Sequence, residues 1–272
     1  MSDASEKDHG QFSRIARLIG PCGVERLAAS RVAVIGLGAV GSYATEALAR
    51  AGVGYLRLVD FDEVAPSNIS RQLYALHSTV GRAKVEVAWG RVADINPACR
   101  VEAMRAFAHE DTFDAVLAGE PDMVVDAIDA FNPKVALLNE LGRRGIPVVS
   151  SMGAALRTDT SCIRVGPLTA STGCPLARRI RRFLRRRGAS TDVLCVYSTE
   201  PIDYLPAEAM SPVEDSETPV LDRGRRRRTL GSLPTVTGIF GLLAAHAAMQ
   251  MLAGDAWPGV AGGADETHEP ER

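Results

Sequence analysis

No two cysteines in this chain stand at the spacing of a metal clip. The five are scattered, at Cys22, Cys99, Cys162, Cys174 and Cys195, which argues against a structural zinc site. A chain of 272 residues can bury a large core, so it needs no disulfide staples, and free thiols in a reducing compartment are expected. Lysine is nearly missing. Of 31 cationic side chains only Lys7, Lys84 and Lys134 are lysines, so the placement of each is worth following. A global field of one sign is also absent, because the formal net charge is −2. The first residues are polar and charged rather than apolar, unlike a secretory leader, which points to the cytoplasm. The 46% hydrophobic and 24% charged content is that of an ordinary globular protein.

What is present centres on Arg31 to Asp62, RVAVIGLGAVGSYATEALARAGVGYLRLVDFD. Val32 to Ile35 reads as a buried strand. Gly36, Gly38 and Gly41 follow as GxGxxG, then a helix over Ser42 to Ala51 and a strand over Tyr55 to Val59 that ends in Asp60. An acid about twenty residues past such glycines is the layout of a nucleotide-binding βαβ unit. The glycines admit a tight turn and close approach of a phosphate, and the helix N-terminus offers N–H donors and a positive dipole end. Asp60 can accept hydrogen bonds from ribose hydroxyls. NAD and ATP both fit this unit.

Further along, a helix is expected from about Arg82 to Ile95, and strands at Arg100 to Arg105, Met123 to Ala127 and Pro147 to Ser151. Helices are expected at Glu110 to Ala118 and Phe131 to Arg144, with a short helical turn at Ile69 to Leu76. The alternation predicts an α/β protein of Rossmann-like, doubly wound type, with a mostly parallel sheet. Beyond Gly153 the pattern changes. Thr160 to Val165 and Val193 to Tyr197 read as strands of antiparallel character, so the sheet is extended by antiparallel strands. Between them lies a basic helix, Pro175 to Arg187, with one apolar stripe of Ile180, Phe183 and Leu184. A long loop, 198–233, carries a second arginine run at Arg223 to Arg228. An uncharged C-terminal helix, Thr235 to Leu252, is long enough to be weighed as a membrane span. It lacks flanking anchors and contains Thr235, Thr237, His246 and Gln250, so a buried helix, at a subunit interface, fits better. His246 is expected to be a satisfied core histidine. The expected organisation is a disordered 1–10, a single domain over 11–253 with a nucleotide-binding half at 30–152 and a second half at 153–253, and a disordered tail over 254–272.

Four clusters fall at the carboxyl ends of the expected parallel strands, where ligands bind in such sheets: the glycine loop; Asp60 with Asp62; Asn68, Arg71 and Gln72 with Lys84; and Asp126 with Asp129. A nicotinamide enzyme has no need of cations around its phosphates. ATP with magnesium has that need, because charge on the phosphate oxygens must be neutralised while pyrophosphate leaves. Lys84 suits bridging of phosphates and Arg71 suits clamping them. Asp129 is either a magnesium ligand or the N-cap of the helix at Phe131, and serves both roles if its geometry allows.

The segments GLGAVGS, LVDFDEV, SNISRQ, VGRAKVEV, INP and DAIDA resemble the ThiF/MoeB-like adenylating superfamily shared with ubiquitin-activating enzymes. Within it, CVYSTEP at Cys195 to Pro201 and the helix PLARRIRRFLRRR are similar to one branch, the tRNA threonylcarbamoyladenosine dehydratases of TcdA or CsdL type. That resemblance runs from about Phe12 to Leu252. It implies that Gly36, Gly38 and Gly41 cradle ATP, that Asp60 holds the ribose with Asp62 also in the cofactor site, and that Asn68, Arg71, Gln72 and Lys84 bind phosphates. Asp129, beside Asp126, ligates magnesium; Lys84, Arg71 and Asp129 are the catalytic set. Arg14 or Arg17 reaches the neighbouring protomer's site in a homodimer. The implied reaction is ATP-dependent dehydration of threonylcarbamoyladenosine at position 37 of tRNA through an acyl-adenylate. Cysteine-desulfurase or sulfur-acceptor partners are implied, and no membrane. Arg178, Arg179, Arg181, Arg182, Arg185 and Arg186 become RNA-contact candidates, and Cys195 is either a packed thiol or a participant near the acyl group. The rivals are adenylation of the C-terminal Gly-Gly of a sulfur-carrier or ubiquitin-like protein, a non-catalytic nucleotide binder, and an NAD-dependent oxidoreductase.

Overall fold

The computed structural model describes residues 10–202, 213–214 and 228–259. The expectations for 1–9, for most of the 198–233 loop with Arg223 to Arg227, and for 260–272 lie outside the described residues. Seven strands form one sheet: β1 (Arg31–Ile35), β2 (Tyr55–Val59), β3 (Arg100–Met104), β4 (Met123–Asp126), β5 (Val148–Ser151), β6 (Ile163–Pro167) and β7 (Leu194–Ser198). Their order is β3-β2-β1-β4-β5-β7-β6. All neighbours run parallel except the last pair, where β6 is antiparallel to β7. The expected antiparallel character of the second half is thus confined to one edge strand. β7 itself runs parallel to β5 and belongs to the doubly wound body. A separate two-stranded ribbon joins β8 (Val213–Glu214) to β9 (Arg228–Thr229).

The inner strands β1, β4 and β5 are almost wholly buried because both faces are covered, while the edge strands β3 and β6 keep exposed positions. The two-residue period of the strands divides them between two cores. Val32 and Val34 of β1, Leu56 and Leu58 of β2 and Val149 of β5 face one core. It is completed by α2 (Gly41–Arg50), α3 (Lys84–Ile95) and α7 (Pro234–Ala253). Ala33, Ile35, Val59, Val124 and Cys195 face the other. That core is closed by α4 (Phe113–Val116), α5 (Phe131–Arg144) and α6 (Pro175–Arg186).

α7 is long and apolar enough to cross a membrane. Here it is the inner helix of the first core, with Val236, Phe240, Ala244 and Ala248 fully buried. It lies hard against α2. A Cβ on Gly241 would stand 2.3 Å from the Val40 carbonyl oxygen, so only glycine permits this approach. His246 is exposed rather than buried, and its ring meets Trp257 edge-on at 5.1 Å. The tail after Ala253 therefore does not fray at once. A 3₁₀ turn at Gly254–Ala256 leads Trp257 onto a small third cluster with Ile19, Val24 and Leu27 of α1 (Ser13–Ala29). α1 is two helices joined at Gly20, whose φ of 73° and ψ of 164° break the spiral before Pro21.

Several boundaries differ from expectation: the helix expected at Glu110 to Ala118 is the single turn Phe113–Val116, and the strand expected from Thr160 starts at Ile163 after a 3₁₀ turn at Thr160–Cys162. α3 begins at Lys84, because Ala83 pairs with Glu63 in an isolated bridge and Arg82 O accepts from Val64 N–H at 2.9 Å, which holds the chain extended until then. The segment Ile69 to Leu76, expected as a short helical turn, makes hydrogen-bonded turns, with Gln72 N–H donating to Asn68 O at 2.9 Å, between 3₁₀ turns at Pro66–Asn68 and His77–Thr79.

Candidate active site

The carboxyl edge of the sheet is where β1, β2 and β4 release their loops. Gly36 has φ +93°, its N–H donates to Val59 O at 2.8 Å, and an added Cβ would lie 2.8 Å from Ala127 O. An added Cβ on Gly41 would lie 1.7 Å from Gly36 O. These two glycines are demanded by the protein's own packing. Gly38 is not: the nearest atom to a Cβ there is Gln72 Nε2 at 3.8 Å. The space beside Gly38 is the open part of the turn, at the entrance to α2, which no side chain caps. An anion is suited to such a place.

From this turn a chain of polar contacts runs outward. Leu37 N–H donates to Asp60 Oδ2 at 2.6 Å, Asp62 N–H donates to Asp60 Oδ1 at 2.9 Å, and Lys84 Nζ donates to Asp62 Oδ2 at 3.0 Å. Burial pushes the Asp60 carboxyl up, and the nearby Lys84 ammonium opposes that. Lys84 is fixed twice, since its backbone N–H also donates to Asp62 O at 3.0 Å. Its side chain is only 5% exposed. A lysine at the first position of a helix, buried beside two carboxylates, is an ammonium held for a purpose other than solubility.

Asn68 and Gln72 are buried at the same edge, while Arg71 is half-buried and donates to Ser67 O at 3.0 Å. This stretch is tied to α2, because Leu73 N–H donates to Ser42 Oγ at 3.2 Å. The structure thus gathers Gly36, Gly38, Gly41, Asp60, Asp62, Gln72 and Lys84 into one linked group.

The two acids after β4 separate sharply. Asp129 is exposed in the β4–α5 loop. It does not cap α5, whose N-cap is Ala130 without a side-chain bond. Asp126 is a core residue and not a solvent-facing ligand. Its side chain is fully buried, with Oδ2 2.6 Å from Lys134 Nζ and 2.6 Å from Ser150 Oγ, and Oδ1 accepting from Ile128 N–H at 3.1 Å. The signal for this pair was in the sequence. Lys134 directly precedes buried Val135 and the apolar stripe Leu137, Leu138 and Leu141, on a buried stretch where a lysine needs a partner.

Among the described residues no three His, Cys, Asp or Glu side chains converge on a cation position. Magnesium requires less, because it is commonly held by one or two carboxylates together with substrate phosphates and water. Asp129, exposed beside the glycine turn's neighbour Ala127, fits that habit. Arg14 and Arg17 are exposed on α1. No hydrogen bond or ion pair joins them to the glycine turn among the described residues. Cys195 is fully buried, its Sγ donating to Gly166 O at 3.3 Å, and burial pushes its thiol up to about 12. It is a packed thiol.

The basic helix α6 divides into two sets. Arg178, Arg182, Arg185 and Arg186 are exposed. Arg181 leaves the set of RNA candidates, because it is half-buried and its Nη1 donates to Leu168 O, Ser171 O and Ser171 Oγ at 2.9, 2.9 and 2.8 Å. Arg179 lies 4.3 Å over the ring of Phe131, which in turn meets Phe183 edge-on at 5.8 Å. The sequence shows one run of charge where the structure has an anchored base and a free face. Arg179 and Phe183 also place α6 beside the start of α5, two residues beyond Asp129.

A parallel sheet that reverses its winding at a glycine turn, with a carboxylate suited to ribose and a buried ammonium beside it, defines a nucleotide-binding domain of the doubly wound class. The chain belongs to the ThiF family, whose model matches residues 12–270. It is 38% identical to the tRNA threonylcarbamoyladenosine dehydratase of Bacillus subtilis (strain 168), over 89% of this chain and 94% of that one. It is similar to the crystal structure of E. coli tRNA N6-threonylcarbamoyladenosine dehydratase, TcdA, in complex with ATP. That likeness has a TM-score of 0.78 at 33% identity and covers 90% of this chain and 95% of the other. The same E. coli enzyme in complex with AMP matches with a TM-score of 0.79 at 32% identity, over 94% and 99% of the two chains.

Proposed function

We propose that this chain is an ATP-dependent tRNA threonylcarbamoyladenosine dehydratase. It activates the threonyl carboxylate of the modified adenosine at position 37 and closes it into a ring. The single observation that carries the reading is the run Leu37–Asp60–Asp62–Lys84, in which an ammonium hydrogen-bonded to Asp62 is linked through Asp60 to the glycine turn. Similarity to dehydratases over nearly the whole chain selects the substrate.

The chemistry follows from these positions. The glycine turn and the entrance to α2 hold the phosphates, with Asp60 accepting from the ribose hydroxyls. A carboxylate oxygen of the substrate attacks the α-phosphorus, a new P–O bond forms, and the bond to pyrophosphate breaks. Lys84 and Arg71 take up charge developing on the phosphate oxygens. Asn68 and Gln72 supply further polar contacts. Magnesium, when bound, neutralises phosphate charge, and Asp129 would hold it. The carbamoyl nitrogen then attacks the activated carbonyl carbon, loses its proton, and expels AMP. No thiol is needed, because the second nucleophile belongs to the substrate, and the burial of Cys195 agrees. Arg178, Arg182, Arg185 and Arg186 lie along phosphates of the anticodon arm. The protein acts as a homodimer, with Arg14 or Arg17 crossing to the neighbouring site, and works with cysteine-desulfurase or sulfur-acceptor partners.

The test is incubation with ATP, magnesium and tRNA carrying threonylcarbamoyladenosine. The expected products are AMP, pyrophosphate and a nucleoside lighter by one water. AMP formation only with a small protein ending in Gly-Gly would assign the chain to sulfur-carrier activation instead.

A further inference from the structure

The buried pair Asp126–Lys134 has no role in the chemistry above. Both side chains are 0% exposed, and a salt bridge so placed is weak evidence for stability, since desolvation offsets much of its attraction. Its position is informative. Asp126 is the last residue of β4, Lys134 lies in the first turn of α5, and Ser150 belongs to the neighbouring strand β5. Lys134 Nζ is 2.6 Å from Asp126 Oδ2 and 3.3 Å from Ser150 Oγ, and the Ser150 hydroxyl donates to the same carboxylate oxygen at 2.6 Å. The pair therefore clasps the two ends of the segment that carries Asp129.

That segment is held on its other side as well. Ala127 N–H donates to Ile35 O at 2.9 Å, and Ile128 N–H donates to Asp126 Oδ1 at 3.1 Å. Ala127 O is the atom that a side chain at Gly36 would strike, at 2.8 Å. The β4–α5 loop is thus wedged between the glycine turn and the ion pair. Only Asp129 and Ala130 stand exposed at its crest.

We propose that Lys134 is a positioning residue. By clamping α5 to the end of β4 it sets where Asp129 stands relative to the glycine turn, and so how tightly the phosphate-bound magnesium is held. The inference rests on the proposed ATP chemistry. Residues behind a metal ligand commonly shift metal affinity or activity by roughly ten- to hundredfold when removed.

Lys134→Met keeps the stem and removes the ammonium, leaving Asp126 buried without a counter-charge, so the variant is expected to lose stability. The double variant Asp126→Asn/Lys134→Met removes both charges. Its amide oxygen can still accept from Ile128 N–H, and it is expected to regain most of the lost melting temperature. The readouts are the magnesium concentration giving half-maximal AMP formation at saturating ATP and, without turnover, the magnesium concentration giving half of the rise in melting temperature that magnesium adds to the ATP-bound protein. A rise of about tenfold or more in the double variant, despite recovered stability, is the expected result. Recovery of the wild-type magnesium requirement together with stability would reduce the pair to core packing and overturn the inference. So would failure of both variants to fold, since cohesion would then be the pair's whole contribution. If wild-type protein forms no AMP at all, the function fails first, and that outcome is separate because it does not involve either variant.

Discussion

Exchanging two glycines of the same turn for alanine separates packing from ligand binding. At Gly41 the new methyl would lie 1.7 Å from Gly36 O, and real Cβ contacts are essentially never under 3.0 Å. Both atoms that must part are fixed by backbone, one in the first turn of α2 and one between β1 and the β4–α5 loop, so no side chain can swing aside. Overpacking of this kind costs about 1–3 kcal/mol, and the upper end applies here. At roughly 2–4 °C per kcal/mol for a domain of this size, Gly41→Ala should melt several degrees low. At Gly38 the nearest atom is Gln72 Nε2 at 3.8 Å, an ordinary contact. Gly38→Ala should therefore fall within about 0.5 kcal/mol of wild type. Its methyl nonetheless occupies the open part of the turn, where the phosphates are proposed to lie. A displacement of the order of 1 Å at a reacting group costs about a hundredfold in rate. Differential scanning fluorimetry, with and without ATP, and calorimetric ATP titration measure both quantities. The reasoning is refuted if Gly38→Ala binds ATP and turns over like wild type, because the cradle would then lie elsewhere.

Lys84→Met should retain ATP binding but lower kcat by roughly a hundred- to thousandfold, read as pyrophosphate release. An unchanged kcat would remove Lys84 from the chemistry. Arg181→Ala should lower stability by about 1–3 kcal/mol, since it strands the carbonyls of Leu168 and Ser171, while leaving the salt dependence of tRNA binding unaltered. The triple change Arg178→Ala/Arg182→Ala/Arg186→Ala should do the reverse. It should flatten the log–log salt slope by about 0.7–0.9 for each phosphate that the variant no longer neutralises, measured by filter binding over a salt series, with the melting temperature held. Equal salt slopes for the two variants would contradict the division of α6. In native protein, iodoacetamide at about pH 8 should modify the exposed Cys22 and spare Cys195, whose thiol is buried and pushed up to about 12. Cys195→Ala should keep turnover, and loss of turnover in a folded variant would restore a chemical role for the thiol.

The first half of the fold was legible because its signals are local. A short apolar run, three glycines and a terminal acid are read from one stretch of chain, and the alternation of strands with helices announces a mostly parallel sheet. The second half was less so. Thr160 to Val165 and Val193 to Tyr197 both read as strands, and the structure has them at Ile163–Pro167 and Leu194–Ser198, yet which neighbour each pairs with depends on partners distant in the sequence. β7 pairs with β5 in parallel on one side and with β6 in antiparallel on the other. The start of the tail, 254–259, was misread for a similar reason. Gly254 marks the helix stop correctly, but Trp257 returns to cover Ile19 and His246 through packing that composition does not announce.

At the site, the residue types were legible and their division of labour was not. Asp126 and Asp129 stand close together in one loop, and by sequence either could face a cation. The structure turns one inward and one outward because β4 ends at Asp126, on an alternation that already points that side chain between the layers. A carboxylate there must find a counter-charge, and α5 supplies Lys134 from its first turn. Among only three lysines in the chain, two end as buried partners of aspartates on either side of the glycine turn: Lys84 with Asp62, and Lys134 with Asp126. One stands where a phosphate can share it, and the other is closed off at the bottom of the loop that carries Asp129. In a chain that uses arginine for nearly every other positive charge, lysine survives where a compact ammonium on a flexible stem fits and a planar guanidinium would not.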